Sequence, residues 1–260
     1  MAPPCLLSIL LLLMLCSLGA SFRICAFNAQ RFAQGKVEKA HVMDIFVKIL
    51  ARCDIAVLQE VMDAKGKAIP ALAAALNQFE NGADIYSYIT SPLLGRSNYQ
   101  ERYVFFYRTR VLDSYKYEDE HPERPDVFAR EPFIVRFSLP NKGKGSENIR
   151  SYFSISGFGN CDDMIFLGDF NADCGYVAKK RWGNIRLRQK PEFHWLIGDK
   201  ADTTVRENTR CAYDRNALSV TPLCTTVWKN TVLIDMWHIS TERVKQAMMW
   251  NWRDMTMCQA

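Results

Sequence analysis

Apolar positions in the first two thirds of the chain follow two periods, one typical of strands and one typical of helices. Apolar residues in 39–53 recur at helical spacing and predict an amphipathic helix, and a second helix is predicted at 70–79 with Pro70 at its start. Short apolar runs predict five strands, at 23–29, 54–61, 102–108, 133–137 and 163–170. Strands interleaved with helices predict the α/β (or α+β) class.

Two segments lack such a pattern. Residues 138–160 are rich in Gly, Ser, Asn and Lys and show little periodicity, so they are predicted to be a loop. Beyond Arg215 the composition changes, and four of the six tryptophans crowd into a stretch that ends without strand-like alternation. These features predict a domain over 22–215 followed by a divergent tail at 216–260.

Composition narrows the class of protein. A chain of 260 residues forms one large domain or two small ones. With 48% hydrophobic and 23% charged residues it is ordinarily globular, which excludes disordered and collagen-like classes. A net charge of +5 is compatible with a polyanionic partner but does not require one.

The N-terminus is typical of a secretory signal peptide. Residues 1–21 form an apolar stretch that ends in small residues and predicts cleavage after Ser21. A retained membrane anchor is the competing interpretation, but the apolar run is short, and no later stretch is apolar enough to span a bilayer. The protein is therefore expected in the endoplasmic reticulum or outside the cell. Seven cysteines would remain after cleavage, an odd number that leaves at least one thiol unpaired. A metal site made by these cysteines is not expected, because the sequence contains no C-x-x-C pair.

Polar side chains stand next to the ends of several predicted strands. One such position alone is typical of a cap or a turn, but several in succession predict convergence on one edge of a sheet. Oxygen-rich clusters of this kind suit Mg²⁺ or Ca²⁺, and a cation there would polarise a phosphoryl oxygen. The residues in these places are Asn28, Glu60, Glu101, Asp169, Asn171 and Asp214.

Six motifs in order give the chain a specific resemblance. They are "FRICAFNAQR", "CDIAVLQEV", "LGRSNYQERY", "FAREPF", "GDFNADC" and "CAYDR". Over roughly 22–137 and 163–215 the chain resembles the deoxyribonuclease I family, in its extracellular or secretory-pathway branch. The resemblance implies two packed mixed β-sheets flanked by helices, in an incomplete form of that sandwich. It also implies endonucleolytic hydrolysis of DNA with Mg²⁺ and Ca²⁺, by a monomer with no membrane span after signal cleavage.

The resemblance assigns roles to the acids and amides. Glu60 matches the principal metal-binding glutamate, with Asn28 as a helper near the same cation. Asp169 and Asn171 match the metal and phosphate site. Glu101 and Asp214 match acids that each orient a catalytic histidine.

It also assigns the DNA contacts and one disulfide. Arg96, Tyr99 and Arg130 match residues that contact the DNA backbone, and the planar fork of arginine suits phosphate. The alternative for Arg130 is a surface salt bridge. Cys174 and Cys211 match a structural disulfide, the alternative being two buried free thiols.

The chain lacks the two motifs in which members of this family carry their catalytic histidines. The interval 138–160 contains no histidine, and no "SDH" motif occurs later in the chain. His41, on the first helix, and His121, in an acidic loop, are predicted to be structural or solvated. His194 is predicted to pack among apolar residues. His238 lies near the missing late motif with Asp235 three residues before it, but this spacing does not match.

A shortened middle and an unrelated tail on a close match indicate an alternatively spliced or mispredicted product. Met62 also stands where the family usually has a basic residue. The first hypothesis is an endodeoxyribonuclease with impaired activity. The second is a catalytically deficient relative that binds divalent metal or DNA. A phosphodiesterase acting on lipid or inositol phosphates is a third, against which "LGRSNYQERY" and "CAYDR" count.

Overall fold

The computed structural model describes residues 22–80, 82, 85–108, 110–116, 128, 130–138, 148–152, 163–204, 208–219 and 232–236. The strands are β1 (Phe22–Phe32), β2 (Ile55–Val61), β3 (Ser87–Thr90), β4 (Arg102–Tyr107), β5 (Arg110–Lys116), β6 (Phe133–Ser138), β7 (Asn148–Tyr152), β8 (Asp163–Asp169), β9 (Phe193–Trp195), β10 (Asp214–Ser219) and β11 (Val232–Met236). The helices are α1 (Gln34–Val37), α2 (Ala40–Leu50), α3 (Ala68–Phe79), α4 (Arg186–Gln189) and one 3₁₀ helix (Lys179–Asn184).

The strands form two mixed sheets. The first has the order β11-β1-β2-β4-β3, with β1 parallel to both of its neighbours. The second has the order β5-β6-β7-β8-β10-β9, in which β7 and β8 are the parallel pair. Two mixed sheets with helices confirm the predicted fold class.

Strand alternation divides the core into layers. On β1, Cys25 and Phe27 belong to the core shared with α2 and α3, whereas Ile24 and Ala26 belong to the core between the sheets. Because side chains alternate across a strand, the apolar run of β1 serves both layers. The apolar stripe of α2 covers the first sheet with Val42, Phe46, Val47 and Leu50.

The second sheet follows the same rule. Ile165 and Leu167 of β8 lie in the core between the sheets, and Phe166 faces the other side. There Phe166 meets the ring of Phe193 edge to face, at 5.6 Å between centroids. With both faces of β8 covered, its continuous apolar run is explained.

Three predictions about local structure need correction. The predicted loop 138–160 contains β7, which lies between β6 and β8 and is hydrogen-bonded to both. The tail contains β11, which pairs with β1 in parallel at the edge of the first sheet. Helix α3 begins at Ala68, two residues before Pro70. Strand β7 has little apolar pattern of its own and forms through pairing with its neighbours. Strand β11 does carry a local signal, the apolar run Val232–Ile234, which the prediction of a patternless tail missed.

Two disulfides are present. Cys174 and Cys211 are bridged with their Cα atoms 6.0 Å apart, which confirms the predicted pairing. Cys25 and Cys53 form a second bridge, also with Cα atoms 6.0 Å apart. The predicted signal peptide, residues 1–21, lies outside the described residues. Within the described ranges, no helix combines the length and the apolar character needed to cross a membrane.

Candidate active site

Three polar strand ends meet where the two sheets join. The Asn28 side-chain amide donates through Nδ2 to Glu60 Oε1 at 2.7 Å and to Asp169 Oδ2 at 3.3 Å. Asn28 and Glu60 come from the parallel strands β1 and β2, and Asp169 ends β8 in the other sheet. The structure therefore brings together the three residues assigned to the metal site.

The strands at this junction contain register shifts that change the direction of their side chains. The register between β1 and β2 shifts after Asn28, and that between β2 and β4 shifts after Leu58, so Glu60 lies in a bulge. Bulges redirect side chains and are common beside active sites. The non-glycine residues with positive φ among the described ones are Gln30, Arg31, Glu60, Asn171 and Cys174.

These left-handed residues mark the candidate site. Such a conformation costs of order 1–3 kcal/mol for each residue and persists where the surrounding structure enforces it. Two of them, Glu60 at φ 53° and Asn171 at φ 48°, are themselves assigned site residues. At Gln30 the enforcing contact is visible, because its N–H donates to Asn28 Oδ1 at 2.7 Å.

Asp169 is held by backbone hydrogen bonds on both sides. Its own N–H donates to Gln59 Oε1 at 2.9 Å, which ties the second sheet to the first. The Asn171 N–H donates to Asp169 Oδ1, also at 2.9 Å, and so fixes the carboxylate from the following turn. Gln59 is buried, and sequence reasoning did not single it out, although it directly precedes Glu60 in the motif "LQEV".

The ammonium group of Lys36 lies near Glu60. Lys36 on α1 donates through Nζ to the Ala29 carbonyl at 2.9 Å. Burial lowers the pKa of the Lys36 ammonium, while the negative charge of Glu60 acts in the opposite direction. The ammonium is thus part of the local electrostatics of the site, and no sequence motif indicated it.

Glu101 lies buried beside the same group of carboxylates. Its Oε1 forms an ion pair with Arg130 Nε at 2.8 Å, and Oε2 has no hydrogen-bond partner among the described residues. Burial raises the pKa of Glu101, Arg130 opposes this, and the charges of Glu60 and Asp169 raise it further. Arg130 therefore forms a salt bridge with a buried acid, and its assigned contact with DNA stays a prediction.

Asp214 begins β10 directly opposite Asp169 in the antiparallel register. It is 1% exposed, and its N–H donates to Thr203 Oγ1 at 3.1 Å. Asp214 therefore lies on the strand next to the cluster.

Two of the three assigned DNA contacts, Arg96 and Tyr99, lie on the loop that precedes Glu101. Arg96 is exposed and Tyr99 is partly exposed. Gly95 makes the loop possible, because its φ is 136° and a Cβ there would lie 2.5 Å from the Tyr99 carbonyl oxygen.

Arg31 joins this surface without having been predicted. Its guanidinium carbon lies 5.3 Å from the centroid of the Tyr99 ring, within the range of a cation–π contact. Arg31 belongs to the left-handed segment between Asn28 and Phe32 and is exposed. An exposed arginine against an aromatic ring is a common element of nucleic-acid surfaces.

Comparison with known proteins places the chain in a family. Residues 25–229 match the Endonuclease/Exonuclease/phosphatase family. Human deoxyribonuclease-1-like 1 is 49% identical over 230 residues, which cover 80% of this chain and 74% of the human protein. The chain belongs to the deoxyribonuclease I group of the endonuclease/exonuclease/phosphatase family. Human deoxyribonuclease gamma is 38% identical over 231 residues. The match covers 81% of this chain and 76% of the human protein.

A solved structure agrees with this membership at the level of fold. An endonuclease/exonuclease/phosphatase family protein from Leptotrichia buccalis C-1013-b superposes with a TM-score of 0.51 at 15% identity. The match covers 75% of this chain and 87% of the bacterial one. The resemblance that the six motifs indicated is thereby confirmed.

The described histidines of this family member do not lie at the candidate site. His41 is exposed on α2. His194 is exposed on the short strand β9, so the prediction that it packs among apolar residues is wrong. It alternates with the half-buried Phe193 and Trp195, which take the inner face. His121 and His238 lie outside the described residues.

The donor set at the junction suits a hard cation. Within the described ranges, no group of three or more His, Cys, Asp and Glu side chains forms a metal cluster. What the junction offers is two carboxylates, Glu60 and Asp169, joined by one amide. Oxygen ligands of this type, with the remaining positions left to water and phosphate, are those that Mg²⁺ uses.

Proposed function

We propose that this protein is an endodeoxyribonuclease that hydrolyses internal phosphodiester bonds of DNA with the help of Mg²⁺ and Ca²⁺. The observation that carries the proposal is the bridge of Asn28 to Glu60 and Asp169, which gathers oxygen ligands from both sheets at one edge. DNA as the substrate is supported by the two deoxyribonucleases to which the chain is similar.

Glu60 and Asp169 would hold the cation. Two carboxylates linked through one amide repel each other, and a divalent ion between them would relieve that repulsion. When bound, Mg²⁺ supplies Lewis-acid polarisation of a phosphoryl oxygen and offsets the charge of the transition state. Asn28 acts here as a positioning residue, because its Nδ2 donates to both acids and its Oδ1 is occupied by the Gln30 N–H.

The loop before Glu101 would bind the DNA backbone. Arg96 and Tyr99 are accessible there, and Arg31 adds a second guanidinium against the Tyr99 ring. Arg130 would share its charge between a phosphate and Glu101, since its Nε already pairs with the acid. Phosphate contacts of this kind orient the duplex without reading its sequence.

Proton transfer is the step for which this site has the fewest suitable groups among the described residues. The group to which the chain belongs uses paired imidazoles, and Asn171, Glu101 and Asp214 are the assigned catalytic positions that remain. Glu101 is the best candidate for accepting a proton, because burial raises its pKa and Oε2 has no hydrogen-bond partner among the described residues. A missing general acid or base typically lowers the rate about 10²–10⁴-fold, so turnover should be slow.

A second candidate function is that of a binding protein that retains the metal and DNA contacts without turnover. The observation that favours it is the ion pair between Glu101 and Arg130, in which the acid assigned to orient an imidazole binds a guanidinium instead. The two candidates share every binding residue. They differ only in whether cleavage occurs.

The secretory pathway is the proposed location. Two disulfides in the described part of the chain fit an oxidising compartment. We expect the secreted protein to be a monomer that starts after Ser21.

The deciding experiment is plasmid nicking by purified residues 22–260 with Mg²⁺ and Ca²⁺. Wild type should nick slowly, Glu60→Ala should remove the nicking, and chelation of the metals should do the same. Asp44→Ala is the matched control, because that aspartate is exposed on α2 and pairs with Lys48 at the surface. Nicking that survives Glu60→Ala would rule out the proposed site. No nicking, with DNA binding retained, would establish the second candidate.

A further inference from the structure

We propose that residues 179–190, named here the basic segment, form a second DNA-binding surface that contacts backbone phosphates of the duplex outside the candidate site. The proposal rests on the proposed function, because it assumes that DNA is the ligand. It assigns a role to residues that none of the family motifs contain.

The basic segment has an extreme charge for its length. Its charged residues are all cationic, with no aspartate or glutamate among them. They are Lys179, Lys180, Arg181, Arg186, Arg188 and Lys190. The whole chain carries a net charge of only +5, so this one stretch exceeds the excess charge of the entire protein. A concentration of positive charge on one surface is the electrostatic footprint of a polyanion partner.

Aromatic stacking and hydrogen bonds hold the segment in place. Arg188 lies 3.9 Å from the centroid of the Trp182 ring, and two of its nitrogens bind the Asp199 carboxylate at 2.6 and 3.1 Å. Trp182 Nε1 donates to the Val177 carbonyl, and Trp195 Nε1 donates to the Leu187 carbonyl. The segment is therefore a fixed surface, and ordering it on binding costs little entropy.

Three cationic side chains of the basic segment are available to bind a ligand. Arg188 is neutralised by Asp199, Lys190 pairs with Glu192, and Lys179 lies near the Trp182 ring. Lys180, Arg181 and Arg186 are exposed and form no ion pair with the described residues. Like charges this close together repel one another, so folding alone gives no reason to collect them.

The basic segment begins at the edge of the candidate site. Tyr176 is 68% exposed and stacks edge to face on Tyr213, with ring centroids 5.5 Å apart. The Tyr213 carbonyl accepts hydrogen bonds from the N–H groups of Phe170 and Ala172, directly after Asp169. Because Tyr213 also precedes Asp214, this contact holds the chain, three residues before the segment begins, beside two strands of the site.

This position favours DNA over an anionic membrane. A duplex in the candidate site continues past it on both sides, with one phosphate charge per ~1.7 Å of helix axis. A fixed cationic surface that starts at the edge of the site is placed to meet those phosphates. The expected contacts are of the backbone type, which add affinity and salt dependence without sequence preference.

The test measures binding and not cleavage. The affinity of the full mature protein for a labelled duplex is measured by fluorescence anisotropy at several salt concentrations, with a chelator present to prevent cleavage. The variant Arg181→Gln/Arg186→Gln removes two charges from the segment. Lys48→Glu is the control for net charge, because it changes the charge by the same amount. Lys48 lies in the last turn of α2, which leads into the start of β2 and is away from the site. Arg181→Lys/Arg186→Lys keeps the charge.

Each phosphate contact contributes about 0.9 to the slope of log affinity against log salt. We expect Arg181→Gln/Arg186→Gln to lower that slope by about 2 and to weaken binding at low salt. Lys48→Glu and Arg181→Lys/Arg186→Lys should keep the wild-type slope. An unchanged slope in Arg181→Gln/Arg186→Gln overturns the proposal, even if this variant loses binding to vesicles of phosphatidylserine and phosphatidylcholine. That last result would assign the segment to a lipid surface.

Failure of this proposal and failure of the proposed function give different results. If wild type binds the duplex, Arg96→Gln weakens it and the segment variant does not, only the basic segment loses its role. If wild type does not bind DNA at all, both proposals fall together. An equal loss in the segment variant and in Lys48→Glu would mean that net charge alone matters, which also overturns the local surface.

Discussion

Arg31 combines two properties that point to function at the scale of one residue. Its backbone has a φ of 59°, and its exposed guanidinium lies 5.3 Å from the Tyr99 ring centroid. A left-handed arginine gains nothing in stability from its conformation. The strain therefore has its explanation in where the side chain is presented.

Replacing Arg31 should affect DNA binding more than folding. We expect Arg31→Ala to weaken duplex binding several-fold, because it removes one phosphate contact and the cation–π contact that positions the Tyr99 ring. Arg31→Lys should retain most of the affinity, because the charge remains. Anisotropy titration measures the affinity, and a denaturant melt of each variant checks that the fold is intact. Equal affinities for wild type and Arg31→Ala would contradict a role in binding.

Glu101 has a pKa raised by burial, and this links stability to pH. The pKa in the folded protein lies above the ordinary value of 4.5, so between these two values the folded state holds more protons than the unfolded state. The contribution of Glu101 to stability is therefore present below pH 4.5 and is lost as pH rises through the folded pKa.

The variant Glu101→Gln should not lose stability in this way. With a chelator present, the free energy of unfolding of Glu101→Gln relative to wild type should increase as the pH rises from 4.5 through the raised pKa of Glu101. Urea unfolding at several pH values measures this difference. A difference that stays flat with pH would mean that Arg130 fully compensates the burial of the acid.

The loop of residues 94–101 is the element that presents Tyr99. It starts and ends at the bridge between Leu94 and Glu101, whose backbone groups exchange hydrogen bonds of 2.9 and 3.0 Å. Within it, Gly95 approaches the Tyr99 carbonyl too closely to carry a side chain. The element therefore connects a backbone constraint to the position of a DNA contact.

Gly95→Ala should destabilise the protein by roughly 1–3 kcal/mol and weaken DNA binding together with it. The added Cβ would meet the Tyr99 carbonyl oxygen at 2.5 Å in a left-handed conformation that alanine rarely adopts. Gly198→Ala is the matched control, since no atom lies within 4 Å of its Cβ position. Urea unfolding should place Gly198→Ala within about 0.5 kcal/mol of wild type. A similar result for Gly95→Ala would refute the close approach.

At the scale of the whole molecule, the site exists because two sheets meet. Asn28 reaches from the first sheet to Asp169 in the second, and Gln59 receives the Asp169 N–H across the same junction. The relative placement of the sheets therefore sets the distance between the carboxylates. The disulfide Cys174–Cys211 closes the second sheet just beyond this junction.

The two disulfides should have similar effects on stability and different effects on function. They close loops with sequence separations of 28 and 37 residues, so removal of either should cost roughly 3–4 kcal/mol by the chain-entropy argument. Cys174→Ser/Cys211→Ser should also weaken DNA binding, because that bridge lies between the site and the basic segment. Cys25→Ser/Cys53→Ser should leave the affinity of the folded protein unchanged. Thermal unfolding and anisotropy measure the two effects, and equal binding losses would show that the bridges act only through stability.

Local sequence determined much of the architecture. The apolar runs of β1, β2, β4, β6 and β8 predicted those strands within a few residues, because burial on both faces leaves a continuous hydrophobic signal. The acids and amides at the strand ends followed from the same pattern, since each is adjacent to its strand in the chain. Glu60 and Asp169 are therefore recognisable from the sequence without the contact that each makes with Asn28.

Tertiary structure alone decided what depends on partners far apart in the chain. Strand β7 forms because its neighbours offer backbone groups, and the place of β11 beside β1 has no local signal. The pairing of Cys25 with Cys53 follows from the alignment of β1 with β2. The contact of Arg31 with Tyr99 and the exposure of His194 have no local signature either. Sequence pattern reports which face of an element is buried, whereas the packing of the sheets determines which residues meet across it.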